Sequence, residues 1–253
     1  MRPAARLVLA LVAALALMPG VVAVILHMPS FGAHPLAYGD AINRLAPAER
    51  HVTNMVTAVN FDYRGFDTLG EEYMLLAAVT GVVVLLRGRR GENVSDAPAK
   101  AEGRSIAPRS PAVMLICRLF APVLLLFGIY VVLHAQLTPG GGFQGGVIIG
   151  SGALLLYLGE SYRVWRRFMR SLVFDMIEAT GALIFVCAGF GPMMAGAKFL
   201  ENTLPLGQSR ALISGGLILV ANAGTALAVA GGFVLLLLEF LEETRTLDAD
   251  DKS

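Results

Sequence analysis

From Leu119 to Gly159 the chain runs forty-one residues without an Asp, Glu, Lys or Arg. One helix needs only about 20 residues to cross roughly 30 Å of hydrocarbon, so this stretch is long enough for two crossings joined by a break. The break is written Thr138-Pro139-Gly140-Gly141-Gly142-Phe143-Gln144-Gly145-Gly146. Proline lacks the amide donor, and each glycine inside a helix costs about 1 kcal/mol relative to alanine, so no regular helix is expected to run through it. Two readings stay open: a tight turn outside the membrane, or a re-entrant element lining a cavity. Irregular backbone at membrane depth needs protein or water to cover it. The string is not a phosphate loop, because it lacks the Lys-Ser/Thr pair.

The rest of the chain follows the same logic. Leu7 to Leu26 is twenty uncharged residues behind Arg2 and Arg6, too long and too poor in a small-residue cleavage site for a signal peptide. A retained helix is expected. Residues 27–66 form an outer segment whose first half is broken by His27, Pro29, Gly32, Pro35, Gly39 and Pro47. From Glu49, the spacing of Val52, Met55, Val56 and Val59 predicts a short amphipathic or half-membrane helix ending near Asn60. The next uncharged run, Tyr73 to Leu86, has only fourteen residues, too few to span. That helix must begin near Phe66 and so carries Asp67, Glu71 and Glu72 at or inside its outer end. Residues 87–110 read as a polar linker. Further spans are expected from Pro111, with Arg118 near its inner end, and from Ser171 to Gly196, with Asp175 and Glu178 near one end. The last uncharged run, Ala211 to Leu238, has twenty-eight residues and must tilt, kink or overshoot. Its Gly215, Gly216, Ala221, Gly224, Ala228, Gly231 and Gly232 favour close helix packing.

Hydrophobic residues make up 56% of the 253-residue chain and charged ones 15%, against roughly a quarter charged in soluble domains. The fold class is therefore all-α: a polytopic integral membrane protein with about six transmembrane helices. With the N-terminus inside, the inner segments hold fourteen Lys and Arg and the outer ones five. That places both termini in the cytoplasm, in the cell inner membrane. The division expected is a membrane module over 1–90 (spans about 7–26 and 66–87), a cytoplasmic linker over 91–110, a four-helix membrane domain over 111–240 and an acidic tail over 241–253. A net charge of +1 advertises no nucleic-acid partner. Cys117 and Cys187 lie in apolar runs and read as packing residues. No Ser-His-Asp order, metal-ligand spacing, nucleotide fingerprint or haem motif occurs, so no catalytic or metal-binding residue is expected.

Charge inside a span costs roughly 2.5–3.5 kcal/mol on insertion scales, so each such residue needs a reason. Asp67, Glu71 and Glu72 either cap the positive end of their helix or exchange a proton or cation. Asp175 and Glu178 share one helix face. They either pair with the basic loop holding Arg167 and Arg170 or form a cation or proton half-site. His134 ends its helix as a cap or serves as a ligand. Arg118 is expected to snorkel to the inner interface.

Two passages carry a resemblance. His134–Gly146, HAQLTPGGGFQGG, with its apolar flanks through Glu160, resembles the signature of the MnhB family, the B subunits of multisubunit Mrp-type sodium/proton antiporters. Asn54–Glu72, NMVTAVNFDYRGFDTLGEE, resembles a second module of such complexes. That module is found at the C-terminal end of their largest membrane protein, in membrane-bound hydrogenase subunits, or fused ahead of a B domain. Together the resemblances cover roughly residues 50–240. They imply an ion-transport subunit set beside other membrane subunits in the bilayer, exchanging Na+ for H+, with no organic cofactor. The family's acidic position falls on Glu71, with Asp62, Arg64 and Asp67 in the same string. Glu72 lies outside that string. For Pro139, Gly140, Gly141, Gly142, Phe143, Gln144, Gly145 and Gly146 the resemblance implies a structural role at subunit contacts. A purely structural assembly subunit, and the same module in a hydrogenase or complex I-like redox pump, are the alternatives.

Overall fold

A computed structural model of the chain describes residues 3–28, 37–90, 110–160 and 162–250. Of the stretch 87–110 expected as a linker, residues 87–90 are instead helical and Ser110 is described, while the rest lies outside the described residues, as do the last three residues of the tail and the breakers Pro29, Gly32 and Pro35. Among the described residues the helices are α1 Pro3–His27, α2 Ala37–Glu49, α3 Met55–Ala58, α4 Gly65–Arg90, α5 Pro111–Leu133, α6 Gly142–Gly159, α7 Tyr162–Phe168, α8 Ser171–Met194 and α9 Leu217–Asp250. A π-helical turn, Val59–Tyr63, links α3 to α4. One isolated bridge, Gly207 to Ser214, is the only β pairing among them.

Five of these helices are long and apolar enough to cross a membrane: α4, α5, α6, α8 and α9. Contacts divide the chain into Met1–Ala41 and Ile42–Ser253. In the first unit, α1 has an apolar stretch Leu11–His27 with Pro19 inside it.

In the second unit α9 is the central helix. Two-thirds of its spanning stretch is buried (67%), against 17% for α4 and for α5. It packs on α6, α8 and α4, while α5 packs on α6. Gly142, Gly146 and Gly150 of α6 face Asn222, Ala226 and Phe233 of α9 in turn, so α6 and α9 run parallel. Gly181 and Glu178 of α8 face Ala228 and Gly231, so α8 runs antiparallel to α9. Two apolar clusters fill the unit. One gathers Ile42, Phe61, Phe185, Leu200 and Ile218 at the end where α9 begins. The other gathers Val79, Trp165, Val234, Leu235 and Leu238 towards the opposite end.

Four expectations are corrected. The glycine string is not wholly a break. The chain turns over His134–Gly141, and α6 starts at Gly142. Helix runs through Gly142, Gly145 and Gly146 because their bare backbones lie against α9 and α5, and that packing outweighs the poor intrinsic propensity. Residues 37–49 are helical despite Gly39 and Pro47. Ile42 and Ala46 are buried, and Pro47 sits in the last turn, where few helical bonds are lost. The short helix begins at Met55 rather than Glu49, with Asn54 capping it by accepting from the Val56 amide. α9 starts at Leu217 rather than near Ala211, because Gly215 and Gly216 take positive φ of 82° and 57°, a conformation suited to glycine at a turn.

Candidate functional site

The string Asn54–Glu72 and the string His134–Gly146 dock on each other. The Thr53 and Asn54 amides both donate to the Gln136 carbonyl, at 2.9 and 3.1 Å. The Thr57 hydroxyl donates to the Ala135 carbonyl at 2.8 Å. The Asn54 side-chain amide reaches the Ala135 and Thr138 carbonyls at 2.8 and 2.9 Å. Each bond satisfies a carbonyl that the turn leaves outside any helix. Gln136 and Thr57 are buried, and hydrophobic periodicity holds no sign of either. From this clamp the π-helical turn leads directly into α4.

α4 then sends its acidic residues to different places. Asp67 is exposed and ion-paired with Arg64. Asp62 pairs with Arg50, and burial pushes its carboxyl above the usual range while the Arg50 guanidinium pulls it back. Glu71 is exposed on the outside of the chain. Glu72 is buried, with 5% of its surface exposed, bordered by Leu69, Leu76, Ala182 and Phe185. Neither of its carboxylate oxygens has a hydrogen-bond partner. The Thr225 hydroxyl stands next to it, within reach of the carboxylate, and its one hydrogen bond of ordinary geometry goes to the Ala221 carbonyl at 3.1 Å.

The expected pair on α8 also separates. Glu178 is buried, and its Oε1 has no hydrogen-bond partner. That oxygen lies over Gly232, where a Cβ would come within 2.7 Å of it and 3.1 Å of Val79 Cγ2. Asp175 pairs with Arg87 of α4 (Nη1 to Oδ2, 3.4 Å), not with Arg167 or Arg170, and Arg87 Nε holds Glu239 of α9 at 2.7 Å. This triad ties three helices together. Arg87 and Glu239 each end an uncharged run and interrupt none, so the runs alone do not single them out.

The remaining expected residues are local. His134 caps α5, its ring against the Tyr130 carbonyl at 3.0 Å and stacked on the Tyr130 ring. Arg118 Nε donates to the Gly159 carbonyl at 2.9 Å and pairs with Glu160 at 2.8 Å. Cys117 is buried, as a packing residue should be, but Cys187 is exposed. In the glycine string, Pro139, Phe143 and Gln144 are exposed, and Gly141, Gly142, Gly145 and Gly146 are buried. Gly140 has φ of 151°. The Gly142 amide donates to Asn222 Oδ1 at 2.6 Å, and Asn222 Nδ2 donates to the Val132 carbonyl at 3.0 Å. One buried asparagine thus joins α9 to the start of α6 and the end of α5. A groove of about 610 Å³ lies elsewhere, lined by Leu125, Ile129, Leu156, Ile177, Leu227 and Val234 among others. No charged residue lines it.

Residues 112–235 match the model of a domain described as related to the MnhB subunit of Na+/H+ antiporter. A Staphylococcus saprophyticus protein named as antiporter subunit mnhB2 is 33% identical over 121 residues, which span 83% of it and 46% of this chain. The chain belongs to the MnhB family. A longer relative, a Rhizobium meliloti protein named as the A/B subunit of a K+/H+ antiporter, is 27% identical over 76% of this chain and 21% of its own length. Two solved structures share the fold. A chain of the Mrp complex from Dietzia matches with a TM-score of 0.67 and 26% identity over 94% of this chain and 26% of that one. A chain of the membrane-bound sulfane sulfur reductase, an archaeal respiratory membrane complex, matches with a TM-score of 0.65 and 29% identity over 93% of this chain and 98% of that one. This MnhB-family chain therefore spans about a quarter of the Dietzia chain and a fifth of the Rhizobium one. The matched family domain begins after α4, so Glu72 lies outside it and Glu178 inside.

Proposed function

We propose that this chain is a membrane subunit of a multisubunit Mrp-type antiporter that exchanges sodium for protons, and that it contributes directly to ion movement. The family supports the complex. The observation that carries the direct role is Glu72, a carboxylate with no hydrogen-bond partner, held within a spanning stretch between α4, α8 and α9. A carboxylate so placed is costly unless it works. It can take a proton, become neutral, and release it again. It substitutes for Glu71 as the working residue within this chain. Glu71 faces outward and would need a neighbouring subunit to cover it.

The topology proposed with this role counts α1 with the five long helices as six crossings, with both termini and Arg87 on the cytoplasmic side of the inner membrane. The chain acts as part of a transport complex and not as an enzyme. Exposed apolar faces such as Leu119, Val123 and Leu126 on α5 would meet lipid or neighbouring subunits. The match to nearly the full length of a sulfane sulfur reductase chain favours one second reading, the same module in a redox-driven complex.

The test is co-expression of the complex with and without this chain in antiporter-deficient cells. Sodium- and potassium-driven proton movement is then measured in everted vesicles. Exchange that requires the chain supports the reading. Exchange that persists in its absence, from an assembled remainder, contradicts it.

A further inference from the structure

We propose that α4, α8 and α9 enclose a proton path contained wholly within this chain, with Glu72 and Glu178 as successive stations and the Arg87–Asp175–Glu239 triad at its far end. The proposal rests on the transport reading only for what drives the protons.

The three groups lie in order along each helix. On α9, Thr225 stands beside Glu72, Gly232 beside Glu178, and Glu239 on Arg87. Seven residues separate each step on α9, or about 10 Å at 1.5 Å per residue. On α4 the same levels are Glu72, Val79 and Arg87. On α8 they run in the opposite sense, with Ala182 bordering Glu72, then Glu178, then Asp175. α4 and α9 thus agree on a line of polar groups about 20 Å long, and on α8 the same groups fall within seven residues, about 10 Å, with Asp175 one turn from Glu178.

Two features show that the line is more than a row of acids. Glu72 and Glu178 are more than nine-tenths buried, and each keeps carboxylate oxygen without a hydrogen-bond partner, a cost that structural acids avoid. The backbone also makes room for one of them. At Gly231 a Cβ would come within 2.6 Å of the Glu178 amide, and at Gly232 within 2.7 Å of its Oε1, so the two glycines seat Glu178 against α9. The charged group acting on Glu178 is Asp175 of its own helix, which Arg87 of α4 holds together with Glu239 of α9.

Between the stations the seam is apolar, with Leu76 and the fully buried Val79. About 10 Å is too far for direct transfer, and the space bordered by Leu69, Leu76, Ala182 and Phe185 is closed to water in this structure, so the step requires the seam to open and admit a short file of water molecules. Glu72, as the acid, gives its proton to the nearest water. Each water passes one on, and the last delivers a proton to the Glu178 carboxylate. Only O–H bonds break and form, and one positive charge moves. At the triad Arg87 is held by two carboxylates on two helices, a fixed cation that lets protons leave while discouraging a metal cation from following.

The experiment uses the assembled complex, checked by native gel, carrying Glu72→Gln, Glu178→Gln or both. If both lie on one path, each single change lowers sodium-driven proton movement at least tenfold, and the double change lowers it no further. A single variant that keeps more than half the exchange, or losses that multiply in the double, overturns the proposal. Should a glutamine variant fail to assemble, Glu72→Asp or Glu178→Asp takes its place. A shifted pH profile of exchange is then expected, and an unshifted one contradicts the path. Should the wild-type complex exchange no cation, the antiporter reading fails and the path is judged separately by infrared difference spectra. Each glutamine change should then delete one carboxylic-acid band that titrates with pH, and an unchanged spectrum overturns the path.

Discussion

α9 has two seams, and they differ in what they bury. On one side it meets α6 through Gly142, Gly146 and Gly150. The polar groups there are few and matched: Asn222 gives and accepts, and the backbone of α6 and α5 answers it. On the other side it meets α8 and α4, again through glycines, at Gly224, Gly231 and Gly232. That seam holds five ionisable side chains, Glu72, Glu178, Asp175, Arg87 and Glu239, and leaves oxygens of two of them without a hydrogen bond. Close backbone packing alone therefore does not distinguish structure from function in this protein. The two seams differ in their polar atoms. The α6 seam satisfies the amide and carbonyl it buries, and under the proposed path the α8 and α4 seam leaves carboxylate oxygens unsatisfied because they carry protons.

The α6 seam breaks most completely. Gly142→Leu drives a side chain into the Asn222 carbonyl and the Ala226 amide, which is backbone and cannot yield. The cost is expected at or above the top of the roughly 1–3 kcal/mol range for overpacking, and native gels should show no assembled complex. Phe143→Leu, on the exposed side of the same turn, should assemble normally. In the other seam, Arg87→Ala removes the guanidinium that ties Asp175 and Glu239 together. About 3–5 kcal/mol is expected for losing one partner of a buried pair, read as a lowered midpoint in detergent melting. Adding Glu239→Gln should recover part of the loss, which separates an ion-pair effect from lost packing. Asn222→Ala should cost about 1–3 kcal/mol through the unsatisfied Gly142 amide and Val132 carbonyl, with exchange per assembled complex unchanged. The smallest effect is expected at Glu71→Gln, less than about twofold in exchange, because that side chain faces away from both seams.

Sequence alone carried the membrane class and most helix bounds. The fourteen-residue run Tyr73–Leu86 forces a helix start near Phe66, and α4 begins at Gly65. That works because hydrocarbon thickness is an external ruler. The same ruler says nothing about which way a side chain points. Glu71 and Glu72 are adjacent, so they sit about 100° apart on the helix, and a shift of one residue in register exchanges their roles. The family string favours the first, and the packing of α4 on α8 and α9 buries the second. Arg87 is inconspicuous in sequence because it ends an apolar run, where an arginine ordinarily reaches water. Its partners lie 88 and 152 residues away. The start of α6 is hidden for a related reason, since propensity is a local property and the glycines there are stabilised by neighbours from α5 and α9.

The most direct test compares neighbours on one turn of α4. Glu71→Gln and Glu72→Gln would each be placed in the assembled complex, and sodium-driven proton movement measured in everted vesicles across pH. The account predicts near-normal exchange for Glu71→Gln and at least a tenfold loss for Glu72→Gln. The reverse pattern would move the working carboxylate to the outer face of this chain, at its boundary with a neighbouring subunit, and contradict a path through its interior.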